Sequence, residues 1–171
     1  AKDYERQTYV IELILRLKEY GWLWVEEYCW RKSNSYPGSW PNRFRDGWER
    51  CLHFSKEKKI NFYKDSVKVP IGSWADKRVN RKSMKSNYTK LKSATGSGFS
   101  RKVGNWDGKK EVDPDNVLTF STESTNVNHS AAFPVSLPKW FIELLTKKDD
   151  IILDPFIGSG TTAIAAITTD R

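Results

Sequence analysis

Towards one end of the sequence, Ile151-Ile152-Leu153 is followed by Asp154-Pro155-Phe156-Ile157-Gly158-Ser159-Gly160 and then by a run rich in Thr, Ala and Ile from Thr161 to Ile167. A short apolar, β-branched run after the turn Lys147-Lys148-Asp149-Asp150 predicts a buried strand that ends at Asp154. The segment after the second glycine predicts a helix beginning near Thr161. Strand, glycine loop and helix in direct succession make half of a βαβ unit, which directs the chain to an α/β fold.

Glycines in a strand-to-helix turn let the backbone approach a ligand, and the helix start offers unpaired N–H groups at the positive end of its dipole. Such a loop suits an anion. A nucleotide phosphate and the carboxylate of a methionine moiety both qualify, and packing alone is a third use for the glycines. A phosphate loop of the Gly-Lys-Ser/Thr kind is disfavoured, because Gly160 is followed by Thr161 and Thr162 with no Lys.

Upstream, Val10, Leu13, Ile14 and Leu17 fall at i, i+3, i+4 and i+7, a helix packed on a core, with Gly21 placed to end it in a left-handed cap. Trp22 to Trp30 predicts a strand, and Cys51-Leu52-His53-Phe54 a second, with turn-forming residues 33–42 between them as a long polar hairpin tip. Val117 to Phe120, with Asn116 before it, predicts a further strand. Ser136 is placed to cap a helix with Pro138 in its first turn and Trp140, Phe141, Leu144 and Leu145 on its apolar face.

Between Lys77 and Lys110 stand eleven basic residues and a single acidic one, Asp107, interleaved with Tyr88, Phe99 and Trp106 and just preceded by Trp74. With little apolar periodicity, this stretch predicts an insertion over a groove or a partly disordered segment rather than core. The whole chain of 171 residues carries +8 and 13% aromatic residues, a balance that favours nucleic acid over a membrane surface. No apolar run reaches the ~20 residues of a membrane span, and Ala1 to Arg6 does not resemble a secretory leader, so a cytoplasmic protein is expected. Cys29 and Cys51 lack partners at metal-ligand spacing, so neither metal nor disulfide is expected.

Asp154 to Thr162 resembles the cofactor loop of the DNA amino-methyltransferases, which transfer a methyl group from S-adenosylmethionine. His129-Ser130-Ala131-Ala132-Phe133-Pro134 is similar to the motif that precedes that loop in the family, with Ser130 where a proline is usual. Asp46 to Lys56 resembles the family's strand ending in Phe-Ser-Lys, and Asn116 to Asn126 the stretch leading into the His segment. The order of these motifs is that of the beta subclass. The catalytic Ser/Asp-Pro-Pro-Tyr/Phe motif of the family is absent from these residues, so the resemblance implies an incomplete copy.

The resemblance implies a Rossmann-like S-adenosylmethionine-dependent methyltransferase fold, partial here. Residues 1–56 and 116–171 would form its core and 57–115 a basic target-recognition insertion. Asp154, Pro155, Phe156, Gly158, Ser159, Gly160, Thr161 and Thr162 would hold the methionine end of the cofactor, with Asp154 orienting the loop and His129, Phe133 and Pro134 nearby. Arg43, Arg45, Lys56, Lys77, Arg78, Arg81, Lys82 and Lys85 would contact the phosphates of double-stranded DNA. The ending Phe133-Pro134 resembles cytosine-N4 members more than adenine-N6 members. A DNA-binding fragment without catalysis, and a methyltransferase acting on RNA or protein, are the rival expectations.

Overall fold

The computed structural model describes residues 5–35, 37–38, 41–73, 109–123 and 133–171. The chain divides into two compact units, Ala1–Val67 with Asp115–Arg171, and Lys68–Pro114.

In the first unit, helix α1 spans Tyr9–Glu19 and strand β1 follows at Leu23–Lys32. Their junction is a Schellman turn: Gly21 takes φ +80°, its N–H donates to the Lys18 carbonyl at 3.0 Å, and the Trp22 N–H donates to that of Leu17 at 3.0 Å. Of the predicted stripe, Ile14 is buried, while Leu13 stays about half exposed. Strand β2, Trp48–Ser55, pairs antiparallel with β1 in the register Tyr28↔Cys51, confirming the expected hairpin.

Strand β5, Val117–Phe120, lies on the other side of β1 and runs parallel to it, so the sheet order is β2-β1-β5. Alternation along β1 buries Tyr28 and Trp30 on one face. Helix α2, Ser136–Leu145, covers that face. Tyr28 meets the rings of Trp140 and Phe141 edge-on at centroid distances of 5.4 and 5.2 Å, a geometry aromatic quadrupoles favour. Leu118, Leu137, Leu144 and Val67 complete this core, with Val67 supplied by a 3-10 turn at Lys64–Val67. Residues 57–67, grouped by sequence with the basic insertion, thus belong to the first unit. Ser136 does not cap α2: it is the first helical residue, Val135 holds the cap position, and among the described residues no side-chain cap bond is formed there.

Helix α3, Thr161–Thr168, packs on α2 through a small cluster of Ile142, Ala165 and Ala166, with Ala165 fully buried. The expected buried strand at 151–153 is not formed. Ile151 is 94% exposed and Leu153 86%, and only Ile152 turns inward onto the α2–α3 cluster. A strand of this kind needs a neighbour to satisfy its backbone and cover its side chains, and none of the described strands pairs with it.

The second unit contains β3, Val69–Pro70, paired antiparallel with β4, Glu111–Val112. The Ile71 N–H donates to the Lys110 carbonyl at 2.8 Å and extends the pairing by one rung.

Candidate functional site

The turn that leads into α3 is shaped by three residues. The Asp154 carboxylate accepts the Phe156 N–H at 2.9 Å, which bends the chain at Pro155, and the Gly160 N–H donates to the Ile157 carbonyl at 2.9 Å. Gly158 and Gly160 take φ +53° and +88°, in the left-handed region where a side chain is disfavoured. Among the described residues, a Cβ on Gly160 would meet nothing within 4 Å, and one on Gly158 only the Phe156 carbonyl at 3.7 Å. The glycines are therefore used for backbone conformation beside open space, and close packing does not explain them.

The loop is presented outward. Phe156 is 90% exposed, and Ser159 Oγ lies 3.4 Å from Thr161 Oγ1, so two hydroxyls flank the helix start. Helical geometry leaves the amides of Thr161, Thr162 and Ala163 without intrahelical acceptors, the first such bond here being Ile164 N–H to the Gly160 carbonyl at 2.9 Å. Amides, hydroxyls and dipole end converge on one small region that suits a carboxylate or phosphate.

Phe133 and Pro134 lie just before α2. Pro134 is buried and accepts the Leu137 N–H through its carbonyl at 3.0 Å, while the Phe133 ring packs against the core beneath the sheet. Their described contacts are structural. Val135, next in sequence, packs in the α2–α3 cluster and ties this segment to the helix that carries the glycine loop. His129 lies outside the described residues, as do Lys77, Arg78, Arg81, Lys82 and Lys85.

The remaining cations do not form one patch. Arg43 and Arg45 sit in the tip that joins β1 to β2, beyond Lys32. Lys56 follows the far end of β2, where Ser55 pairs with Leu23, and its ammonium stands 4.2 Å from the centre of the Trp22 ring. A ten-residue strand, about 30 Å long, separates the two groups. The tip also contains Phe44, which sequence reasoning passed over; the signal was an Arg-Phe-Arg triplet inside a segment otherwise built from turn formers.

Two groups on the core face of the hairpin are strongly shaped by burial. Desolvation, with help from Glu49, pushes the Cys51 thiol up to about 11, which keeps it in the protonated form near neutral pH. Desolvation also lowers His53 below its ordinary value, against an opposing pull from Glu26. Among the described residues no cluster of three or more His, Cys, Asp or Glu could hold a metal ion, and no helix is long and apolar enough to cross a membrane.

A family model described as DNA methylase, covering N6 and N4 amino-methyltransferases, matches residues 2–171. The chain belongs to this DNA methylase family. Among similar proteins, the type II methyltransferase M.PvuII of Proteus hauseri is 28% identical over 193 aligned positions, covering 97% of this chain and 54% of that protein. M.BglI of Bacillus subtilis is 54% identical over 46 residues, covering 27% of this chain and 13% of its own length. The methylase fold is shared with the solved PvuII cytosine-N4-specific DNA methyltransferase at TM-score 0.66 and 23% identity, covering all of this chain and 53% of that one. An M1.HpyAVI–SAM complex superposes at TM-score 0.57 and 22% identity, covering 97% and 61%. The chain thus spans about half the length of the methylases it matches from end to end.

Proposed function

We propose that the protein transfers a methyl group from S-adenosylmethionine to the exocyclic N4 amino group of cytosine in duplex DNA, as a modification enzyme of the type II kind or without a restriction partner. The observation that carries this reading is the turn from Asp154 to Gly160 in a chain of the DNA methylase family: two left-handed glycines, open space beside them and a free helix start. These residues fit the methionine end of the cofactor, because a carboxylate there would be met by the amides at the start of α3 and the hydroxyls of Ser159 and Thr161. S-Adenosylmethionine supplies an electrophilic methyl group on its sulfonium. Asp154 holds the loop in shape, and Phe156 offers an exposed aromatic face to whatever binds beside it.

An exocyclic amino nitrogen is a weak nucleophile because its lone pair is delocalised into the ring, so transfer depends on placing an extruded base in line with the methyl group. The Pro-Pro motif that does this in the family is not among these 171 residues, and the roles assigned here are cofactor and DNA binding. Cytosine is favoured over adenine by the Phe133-Pro134 ending and by the relatedness to M.PvuII, since the solved PvuII DNA methyltransferase is cytosine-N4-specific.

The test is transfer of labelled methyl from S-adenosylmethionine to duplex DNA by the intact protein, followed by nucleoside chromatography. N4-methylcytosine is the expected product; N6-methyladenine would replace the target base, and label in RNA or protein alone would overturn the proposal. In parallel, Gly158→Val places a β-branched residue at φ +53° beside the ligand space and should abolish cofactor binding by calorimetry. Unchanged affinity in a folded variant would remove the loop from the site.

A further inference from the structure

Phe44 presents a large aromatic side chain that is 95% exposed. It stands between Arg43 and Arg45 in the tip between β1 and β2, a tip stiffened by Pro37 and Pro41. An open hollow of about 840 Å³ adjoins it, lined by Pro37, Pro41, Asn42, Arg43, Phe44 and Arg45, among others.

The tip is held from below. The Lys32 N–H donates to the Gly47 carbonyl at 2.9 Å and closes the hairpin mouth, while Arg45 Nη1 donates to the Ser35 carbonyl at 3.2 Å across it. Asn34 Oδ1 accepts both the Thr122 N–H, at 2.6 Å, and the Thr122 hydroxyl, at 3.0 Å. That pair of bonds ties the tip to the chain leaving β5. Because β1 and β5 are parallel and Lys32 pairs with Phe120, the tip rises from the carboxyl edge of the parallel pair, the edge at which open α/β sheets bind their ligands.

We propose that Phe44 is a wedge that enters the base stack of duplex DNA, with the cations beside it facing the phosphates on either side of the insertion. This deepens the function proposed above and rests on it, since methylating an amino group inside a duplex requires the target base to leave the stack. The vacated space is flat, apolar and bounded by two backbones. An aromatic ring flanked by guanidinium groups matches each part of it, and a net charge of +8 draws the chain to the duplex. Phe44 makes its contact with neighbouring bases and does not touch the reacting atoms, so it is a positioning residue.

The experiment compares binding of the intact protein to two 20-base-pair duplexes, one fully paired and one with a central abasic site flanked by 2-aminopurine. A wedge predicts tighter binding to the abasic duplex, with quenching of 2-aminopurine as the ring stacks on it. Phe44→Ala should lose that preference and the quenching, by a factor in the range of roughly 5 to 150 expected for one base–aromatic stack. Its salt slope should stay as in the parent protein, because the arginines remain. Phe44→Trp should restore both signals. With Phe44 almost wholly exposed, the alanine variant is expected to fold, which circular dichroism and unchanged cofactor binding would verify. Equal loss of affinity for the two duplexes, or no change for either, overturns the wedge while leaving the methyltransferase proposal standing. Absence of any DNA binding by the parent protein overturns both.

Discussion

The guanidinium of Arg171 clasps Thr146, donating from Nη2 to its carbonyl at 2.8 Å and from Nε to its hydroxyl at 3.1 Å. A third donor, Nη1, reaches the Thr169 carbonyl. One side chain therefore joins the end of α2 to the end of α3, the two helices whose packing holds the glycine turn in place. Arg171→Ala should lower stability by about 1–3 kcal/mol, the usual range for hydrogen bonds from a charged, partly buried donor. Arg171→Lys should recover little of this, since an ammonium cannot reproduce the planar fork. Urea unfolding midpoints of the three proteins decide the matter, and an unchanged midpoint in the alanine variant would show the clasp to be dispensable.

Tyr28 presents a different balance. Its ring is wedged against Trp140 and Phe141, yet its buried hydroxyl has no hydrogen-bond partner among the described residues, and desolvation raises its pKa. Tyr28→Phe keeps the ring contacts and removes the unsatisfied group, so stability should be unchanged or rise by up to about 1 kcal/mol. Tyr28→Ala should cost about 3–5 kcal/mol, as for other large aromatic truncations in a core. A marked loss in the phenylalanine variant would reveal a bridging water at the hydroxyl.

His53 makes the fold sensitive to acid. Burial lowers its pKa below 6.5, so the unfolded chain takes up the proton first as the pH drops. This contribution is fully present above pH 6.5 and is lost progressively below it, down through the folded value. Thermal unfolding of the parent protein should therefore weaken between pH 7.5 and 5.5 by more than that of His53→Gln. Equal pH dependence in the two proteins would assign the acid sensitivity to other groups.

The segment from Lys77 to Lys110 lies almost entirely outside the described residues, and the proposal that it contacts DNA rests on its charge. Neutralising Arg81, Lys82 and Lys85 to Gln should weaken binding to every DNA sequence and flatten the dependence of log affinity on log salt by up to about 3 units. Cofactor affinity should hold. A full slope in the triple variant would make these charges a solvated face, leaving the tip cations as the DNA contact.

Residues 9–21, the two hairpin strands, the apolar face of α2 and the glycine turn before α3 were legible in the sequence because each rests on a local signal. A 3.6-residue stripe, a two-residue alternation or a glycine at a helix end reports the conformation of its own neighbourhood. Which strand lies beside which is not written locally. The parallel pairing of β1 with β5 joins residues some ninety positions apart, and only that pairing lifts Phe44 and the Asn34–Thr122 link to the carboxyl edge of the sheet. The same limit explains Ile151 to Leu153, whose composition is that of a buried strand: composition sets the tendency to pair, while a partner in space decides whether the ladder forms. Ser136 follows this pattern too, since a serine can cap only where the chain enters the helix, and the packing of Pro134 and Val135 moved that entry one residue earlier. Local chemistry chose the elements, and contacts between distant residues chose their neighbours.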